Sequence, residues 1–255
     1  MMKVLVTGAA GHIGKNLVKA IHQKYDLVLT DIKQDEELKQ FGHYQQADLA
    51  VPEQVDELVK NVDAIVHLGG IATESTYELI NKNNFNTTYY VYEAARKHGI
   101  KRIVFASSNH AVGFQPINQS IGADALHMPD TYYGASKAFG ENLANMYYQK
   151  HAIETASLRI GSYLEKPTEH RNLNTWISVR DMNQLIVCCL EANQISTNVY
   201  YGVSSLHNDY FDNRDAALIG YEPLDNPEDF RDEIENVKLE NVTDYIGGPF
   251  TNFGR

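Results

Sequence analysis

Cysteine is nearly missing from this chain of 255 residues: there are two, Cys188 and Cys189, and they are neighbours. Adjacent cysteines in an apolar, helix-like stretch cannot staple distant segments together. No disulfide framework is on offer, and both read as small buried hydrophobes. Long apolar runs are lacking too. None approaches the roughly eighteen residues of a membrane-crossing helix, and the N-terminus starts as a strand without an apolar leader and cleavage site. These absences predict a cytoplasmic protein with no membrane partner. Positive charge is scarce: 22 Lys and Arg face 33 Asp and Glu, for a formal net charge of −11 at pH 7. With no basic cluster and no aromatic-basic interleaving, this argues against a nucleic-acid partner, and an anionic small molecule would need a locally placed cation. The ten histidines show neither HxxxH nor Cys/His ligand spacing, so no metal is expected. Repeats, low-complexity tracts and an interdomain linker are also missing.

What is present is a regular alternation through the first 160 residues. Strand signals fall near 2–7, 26–31, 43–47, 63–68, 101–107 and 153–159. Helix signals fall near 12–24, 34–40, 52–61, 76–98 and 133–150. Such alternation predicts an α/β fold: a Rossmann-like, doubly wound parallel sheet with helices on both faces, its ligands beyond the carboxyl ends of the strands. The pattern then becomes irregular, with a helix from about Asp181 to Ala192, Asp181 as its N-cap, a strand near 198–202 and a helix near 209–218. The expected division is a dinucleotide-binding domain over 1–160 and a small C-terminal substrate-binding cap over 161–255, partly interleaved with it. From Tyr221 onward Pro223, Pro227, Gly247-Gly248-Pro249 and many acids read as a loosely regular, solvated tail.

Lys3-Val-Leu-Val-Thr7 is a buried-strand run, and Gly8-Ala-Ala-Gly11-His12-Ile13-Gly14 follows it directly before an amphipathic stretch. Strand, glycine turn and helix stand in the order that brings a pyrophosphate to a helix N-terminus. Alone, the glycines are equally a tight βα turn. The second strand run, however, ends in Asp31, about twenty residues on, where a carboxylate accepts from the adenosine ribose hydroxyls. Asp31 would repel a 2′-phosphate, and no arginine follows it. The cofactor expected is NAD in preference to NADP.

Ser108 closes the run Arg102-Ile-Val-Phe-Ala-Ser-Ser108, and Tyr133-x-x-x-Lys137 stands 25 residues further on. Four residues apart on a helix, the tyrosine and lysine share a face, so the ammonium is expected to favour the ionised phenol. Ser108 would hold a substrate oxygen where that phenol takes or gives a proton. A lone YxxxK is a common accident. The glycine turn and Asp31 are what give it weight.

With these motifs in hand, the chain resembles the extended short-chain dehydrogenase/reductases over most of its length. The resemblance implies adenine contacts from Asp48 and Leu49, and a turn beside the nicotinamide ribose at Leu68, Gly69 and Gly70. It also implies a helix asparagine at Asn84. Within that family, Phe105-Ala-Ser-Ser-Asn-His110 and Arg159-Ile-Gly-Ser162 with Arg171-Asn-Leu-Asn-Thr-Trp176 most resemble members that oxidise sugar acids. That implies a hexuronate, galacturonate or glucuronate, oxidised at C1 to an aldarolactone through Ser108, Tyr133 and Lys137. Substrate contacts would come from Thr73, Ser108, Asn109, His110 and Ser162, with Arg171 on the carboxylate. Physically, Arg171 suits a carboxylate fork, though it equally suits a phosphate or a surface ion pair with Glu165 or Glu169. His110 is either a sugar contact or a packed histidine, and Asn109 either binds sugar hydroxyls or caps a turn. Another sugar or sugar-phosphate dehydrogenase, a compact nucleotide-sugar epimerase and a non-catalytic dinucleotide sensor stay open. Only about 95 residues remain beyond the last main strand, a small lobe for clasping a nucleotide-sugar. The sequence leaves room for a homo-oligomer.

Overall fold

In the computed structural model, residues 1–235, 237 and 243–253 are described. Strands β1 (Lys3–Thr7), β2 (Asp26–Asp31), β3 (His43–Gln46), β4 (Ala64–His67), β5 (Arg102–Ser108) and β6 (Glu154–Ile160) alternate with helices. Those helices are α1 (His12–Ile21), α2 (Pro52–Val59), α3 (Tyr77–Ile80), α4 (Thr87–His98) and α5 (Tyr132–His151). Beyond β6 come the short β7 (Ser162–Tyr163), α6 (Asn172–Thr175), β8 (Trp176–Ile177), α7 (Val179–Glu191), β9 (Thr197–Gly202) and α8 (Arg231–Ile234). The main sheet runs in the order β3-β2-β1-β4-β5-β6-β9 and is parallel throughout. The expected doubly wound sheet is present, and β9 joins it from well beyond residue 160.

The strands are apolar on both faces because both are covered. Alternate residues of β1 divide accordingly. Val4 and Val6 pack with Leu17, Val18 and Ile21 of α1 and Leu185 and Ile186 of α7, while Leu5 packs with Ile65, Ile103, Val91 and Tyr147 on the opposite side. A third, smaller core of Val112, Tyr201, Val203, Phe211 and Ile246 gathers at the β9 edge of the sheet. It draws the chain's last segment back onto the body of the fold.

Several elements differ from expectation, each for a local reason. The helix expected over 76–98 is interrupted by a π-helical turn, Asn81–Asn86, in which Asn84 turns inward and bonds the Ile71 backbone in both directions. The stretch 34–40 is only a 3₁₀ turn, Glu36–Gln40, begun by the Asp35 carboxylate accepting from Glu37 N. The helix expected at 209–218 is a 3₁₀ turn, Arg214–Ile219. The run before it is held by the Asn213 amide, which pairs with both backbone groups of Tyr201. Ser178, not Asp181, caps α7, and the buried Asp181 carboxylate instead accepts from Leu224 N and Asp225 N. Nor is the tail simply a solvated face: Tyr221, Ile234 and Ile246 are buried. Glu240, one of the acids in that reading, lies outside the described residues.

Both cysteines are free, Cys189 buried in α7 and Cys188 half-buried, as small hydrophobes would be. No helix among the described residues is long and apolar enough to cross a membrane.

Candidate active site

A cavity of about 540 Å³ opens beyond the carboxyl ends of the strands. Its first wall is the glycine turn. Gly8 has φ +68°, and a Cβ on Gly14 would lie 2.3 Å from the Gly8 carbonyl oxygen, so only glycines let α1 begin this close to β1. Asp31 is anchored beside the turn, one oxygen accepting from Ala10 N at 3.1 Å and the other from Lys33 N at 3.0 Å. Asp48, Leu49, Leu68, Gly69 and Gly70 line the same cavity, as do Gly11, His12 and Ile13. Gly69 N donates to Thr7 Oγ1 at 3.1 Å, and that hydroxyl pairs with His67 Nδ1 at 2.8 Å, which ties the β4 turn to the β1 turn. Burial, aided by the nearby Lys137 charge, pulls the His67 imidazole down to about 3, so it is neutral. Asn84 does not line the cavity. It sits behind it, holding Ile71 and donating to Ser136 Oγ, while Asn83 and Thr87 supply the lining there. A glycine cradle followed by a helix, with a carboxylate at the end of β2, fits a dinucleotide.

The second wall carries the reactive groups. Ser108, at the end of β5, and Tyr133, in the first turn of α5, meet in the cavity with Lys137, and all three are buried. The Thr131 hydroxyl starts α5 by accepting from Gly134 N at 3.0 Å, and the Glu74 carboxylate accepts from Tyr133 N at 2.8 Å. Burial pushes the Tyr133 phenol up to about 12; the hydrogen bond with Ser108 acts downward and the Asp130 charge upward. Lys137 is itself pulled down to about 8 by burial. Its ammonium lies 5.4 Å from the Tyr133 ring centre and donates to the Ala106 carbonyl at 2.7 Å. The shared helix face is therefore present, but the expected acidification of the phenol by Lys137 is not. With Lys137 on the Ala106 carbonyl, burial governs the tyrosine.

The third wall is assembled from distant segments. Asn109 and His110 continue from β5 in a 3₁₀ turn, Asn109–Val112. His110 lines the cavity and is packed at once: Nδ1 meets Asp130 Oδ2 at 2.7 Å, and its ring stacks on Phe250 at 4.1 Å between centres. With the Asn109 amide nitrogen donating to the Ile160 carbonyl, its oxygen accepts from Arg171 Nη2 at 2.8 Å. Ser162 Oγ lies 3.5 Å from Arg171 Nη1. Neither Ser162 nor Arg171 lines the cavity itself; they stand next to it, behind Asn109 and Gly161. Thr73 is exposed and lies outside the lining, which passes instead through Ile71 and Ala72.

Arg171 is not the surface arginine of an ion pair. It is partly buried, its Nη2 donates to the Ile246 carbonyl at 2.7 Å, and its Nε is out of solvent with no hydrogen-bond partner among the described residues. Burial pulls its basicity down. The tail segment 245–250 covers it closely. A Cβ on Gly248, which has φ +59°, would come within 2.8 Å of Arg171 Nε, and one on Gly247 within 1.9 Å of Asp130 Oδ2. This segment was missed as part of the site because its sequence carries no periodicity. The glycine pair in Gly247-Gly248-Pro249-Phe250 was its one legible trace.

Among the described residues no cluster of His, Cys, Asp or Glu could hold a metal ion. A doubly wound sheet, a glycine cradle and a Ser, Tyr and Lys set in one cavity define a Rossmann-type dinucleotide enzyme. Residues 4–164 match the model of the NAD dependent epimerase/dehydratase family, and the chain belongs to that family. It is 41% identical to a uronate dehydrogenase of Pseudomonas putida, over 99% of this chain and 96% of that protein. It is 32% identical to an NAD-dependent glucose-6-phosphate dehydrogenase of Haloferax volcanii, over 91% of this chain and 97% of that protein. The crystal structure of uronate dehydrogenase from Agrobacterium tumefaciens superposes with a TM-score of 0.92 at 38% identity, covering 98% of this chain and 97% of that one. A variant of that enzyme complexed with NAD gives the same score.

Proposed function

We propose that this chain is an NAD-dependent oxidoreductase that oxidises a hexuronate at C1 to an aldarolactone. The observation that carries the substrate is Arg171: a half-buried guanidinium, its Nε out of solvent and unpartnered and the group without an ion-pair partner among the described residues, next to the cavity that holds Ser108 and Tyr133. A partly desolvated arginine held only by neutral acceptors gains from an anion, and its fork matches a carboxylate. In an acidic chain it is the cation that an anionic sugar requires.

The residues that would hold the cofactor are Gly8, Gly11, His12, Ile13 and Gly14 along the pyrophosphate, and Asp31 on the adenosine ribose. Asp48, Leu49 and the Leu68-Gly69-Gly70 turn would complete the cleft, with Lys137 on the nicotinamide ribose. When bound, NAD supplies the acceptor for the C1 hydride. Ser108 holds the anomeric hydroxyl, and Tyr133 takes its proton. A phenol near 12 is a weak acid at neutral pH; a cation brought close to it, by Lys137 leaving the Ala106 carbonyl or by the cofactor ring, lowers it toward use. Asn109, His110 and Ser162 orient the sugar, and Asp130 fixes the His110 ring through Nδ1. Thr73 would take part only by turning inward. The division proposed keeps 1–160 for the cofactor and draws the substrate side from segments within 161–255, among them Ser162, Arg171 and residues 245–250.

A second reading has support, since the arginine fork also suits a phosphate and one relative is named a glucose-6-phosphate dehydrogenase. NADH absorbance with NAD against galacturonate, glucuronate, glucose, glucose 6-phosphate and UDP-glucose separates the two. The expected result is net NADH formation with a uronate and none with UDP-glucose. NADH with glucose 6-phosphate alone would replace the carboxylate by a phosphate.

A further inference from the structure

Behind the reactive pair lies a buried charge cluster that takes no proton and touches no reacting group in the proposed reaction. Tyr133, Lys137 and Glu141 follow one another at intervals of four along α5, on one face of the helix. They grip three consecutive residues of β5. Lys137 Nζ donates to the Ala106 carbonyl at 2.7 Å, Ser107 Oγ donates to Glu141 Oε1 at 2.5 Å, and Tyr133 shares a hydrogen bond with Ser108. Glu141 is fixed in turn from the sheet. Arg159 donates to it through Nε at 3.1 Å and Nη2 at 2.8 Å, and His127 Nε2 lies 2.7 Å from its other oxygen. Ser107, Arg159 and Tyr201 are register neighbours across β5, β6 and β9, and Tyr201 receives the remaining Arg159 donor, Nη1, at 3.0 Å. One carboxylate thus seats the helix on a row crossing three strands.

We propose that Glu141, acting through Ser107, is the positioning residue that sets the register of the Tyr133 hydroxyl against Ser108. The inference rests on the reading of Ser108 and Tyr133 as the reacting pair. Of the three grips, the one at Ala106 must release if Lys137 turns to a ribose hydroxyl, and the one at Ser108 must accommodate the substrate. The Ser107 grip is free to persist through turnover. Geometry at a proton-transfer site is sensitive to shifts of about 1 Å, so loss of this fixed point acts on the chemical step more than on binding. Burial opposes the Glu141 charge, but His127, Arg159 and Ser107 outweigh it and keep the carboxyl below its ordinary range.

The test is Ser107→Ala, which leaves the Glu141–Arg159 pair intact and so leaves the fold in place, with Ser107→Thr restoring the hydroxyl. Hydrogen–deuterium exchange on the NAD-loaded protein needs no sugar, and a failed substrate assignment is therefore visible separately. The amides of residues 132–140 are expected to exchange about tenfold faster in Ser107→Ala. Its kcat is expected to fall about tenfold with the KM for NAD within about twofold, and Ser107→Thr to recover most of both. Unchanged exchange, or unchanged kcat, would each reduce Glu141 to a structural buttress and overturn the proposal.

Discussion

Between residues 8 and 70 the cavity wall follows successive strand ends: a glycine turn, the end of β2 with Asp31, and a second glycine turn tied to the first through Thr7. Beyond Ser108 the wall carries side chains braced from separate segments: Asn109 and His110 line it, Ser162 and Arg171 stand behind Asn109, and Phe250 of the tail stacks on His110. The first wall meets a ligand of fixed shape, and backbone geometry suffices to meet it. On the proposed function the second would distinguish one sugar from another, which requires particular functional groups on segments that can vary independently. Tyr133, Lys137 and Ser108 sit at the seam.

If that division holds, damage to the first wall acts on every sugar alike, damage to the second on uronates alone, and damage at the seam on both. The largest effect is expected at the seam. Tyr133→Phe should lower turnover by roughly 10² or more with cofactor affinity nearly intact, as kcat and an NADH-binding titration would show. Normal turnover would remove the phenol from the reaction. Arg171→Met should lower kcat/KM for uronates by roughly 10², the value of charge-assisted hydrogen bonds to a half-buried group, with no change in the KM for NAD. A uniform loss across neutral sugars would show that Arg171 only supports the fold.

A third probe of the seam is stability against pH. Lys137 is pulled down to about 8 in the folded protein from an ordinary 10.5. Below pH 8 both states hold the proton and the folded state bears the full cost of burying it; from about 8 to 10.5 only the unfolded state does, and stability rises. The charge cost that Lys137→Met removes is about 3 kcal/mol at pH 7, less about 1 kcal/mol for the lost bond to the Ala106 carbonyl, so the variant should be the more stable there, with the gain fading as pH climbs toward 10.5 in parallel denaturant titrations. A constant gain across that range would mean that packing, not charge, separates the two.

Smaller effects test the walls themselves. Asp31→Ser should raise the KM for NAD by about tenfold and narrow the preference over NADP, equally for every sugar. Gly248→Ala should raise the KM for uronates about three- to fivefold by displacing Arg171, leaving the KM for NAD alone. An equal rise in both would break the division between the walls.

The same division explains what could be read in advance. The sheet, its order of elements, the glycine turn, Asp31 and the Ser108, Tyr133 and Lys137 set were all legible, because each rests on local spacing that one strand or helix enforces. Thr73 stands exposed outside the lining, which passes through Ile71 and Ala72, and no local pattern tells which of these three neighbours meets the cavity. Asn84 was found, but as a brace and not a lining residue, since the π-helical turn that rotates it inward has no signature in residue periodicity. The acidification of Tyr133 by Lys137 required knowing which of two acceptors the ammonium chooses. The tail remained hidden for a topological reason: Ile246 meets Arg171 across 75 positions, and no local pattern encodes a contact of that span.

That span also sets an order of events during synthesis. Six of the seven strands, and every residue lining the dinucleotide cavity, have emerged by residue 163, whereas Ile246 and Phe250 are among the last described residues to leave the ribosome. Chains are made from the N-terminus and fold as segments emerge. The residues that line the nucleotide cleft thus leave the ribosome well before the segment that covers Arg171, so the cover closes onto a cleft whose lining has already been made.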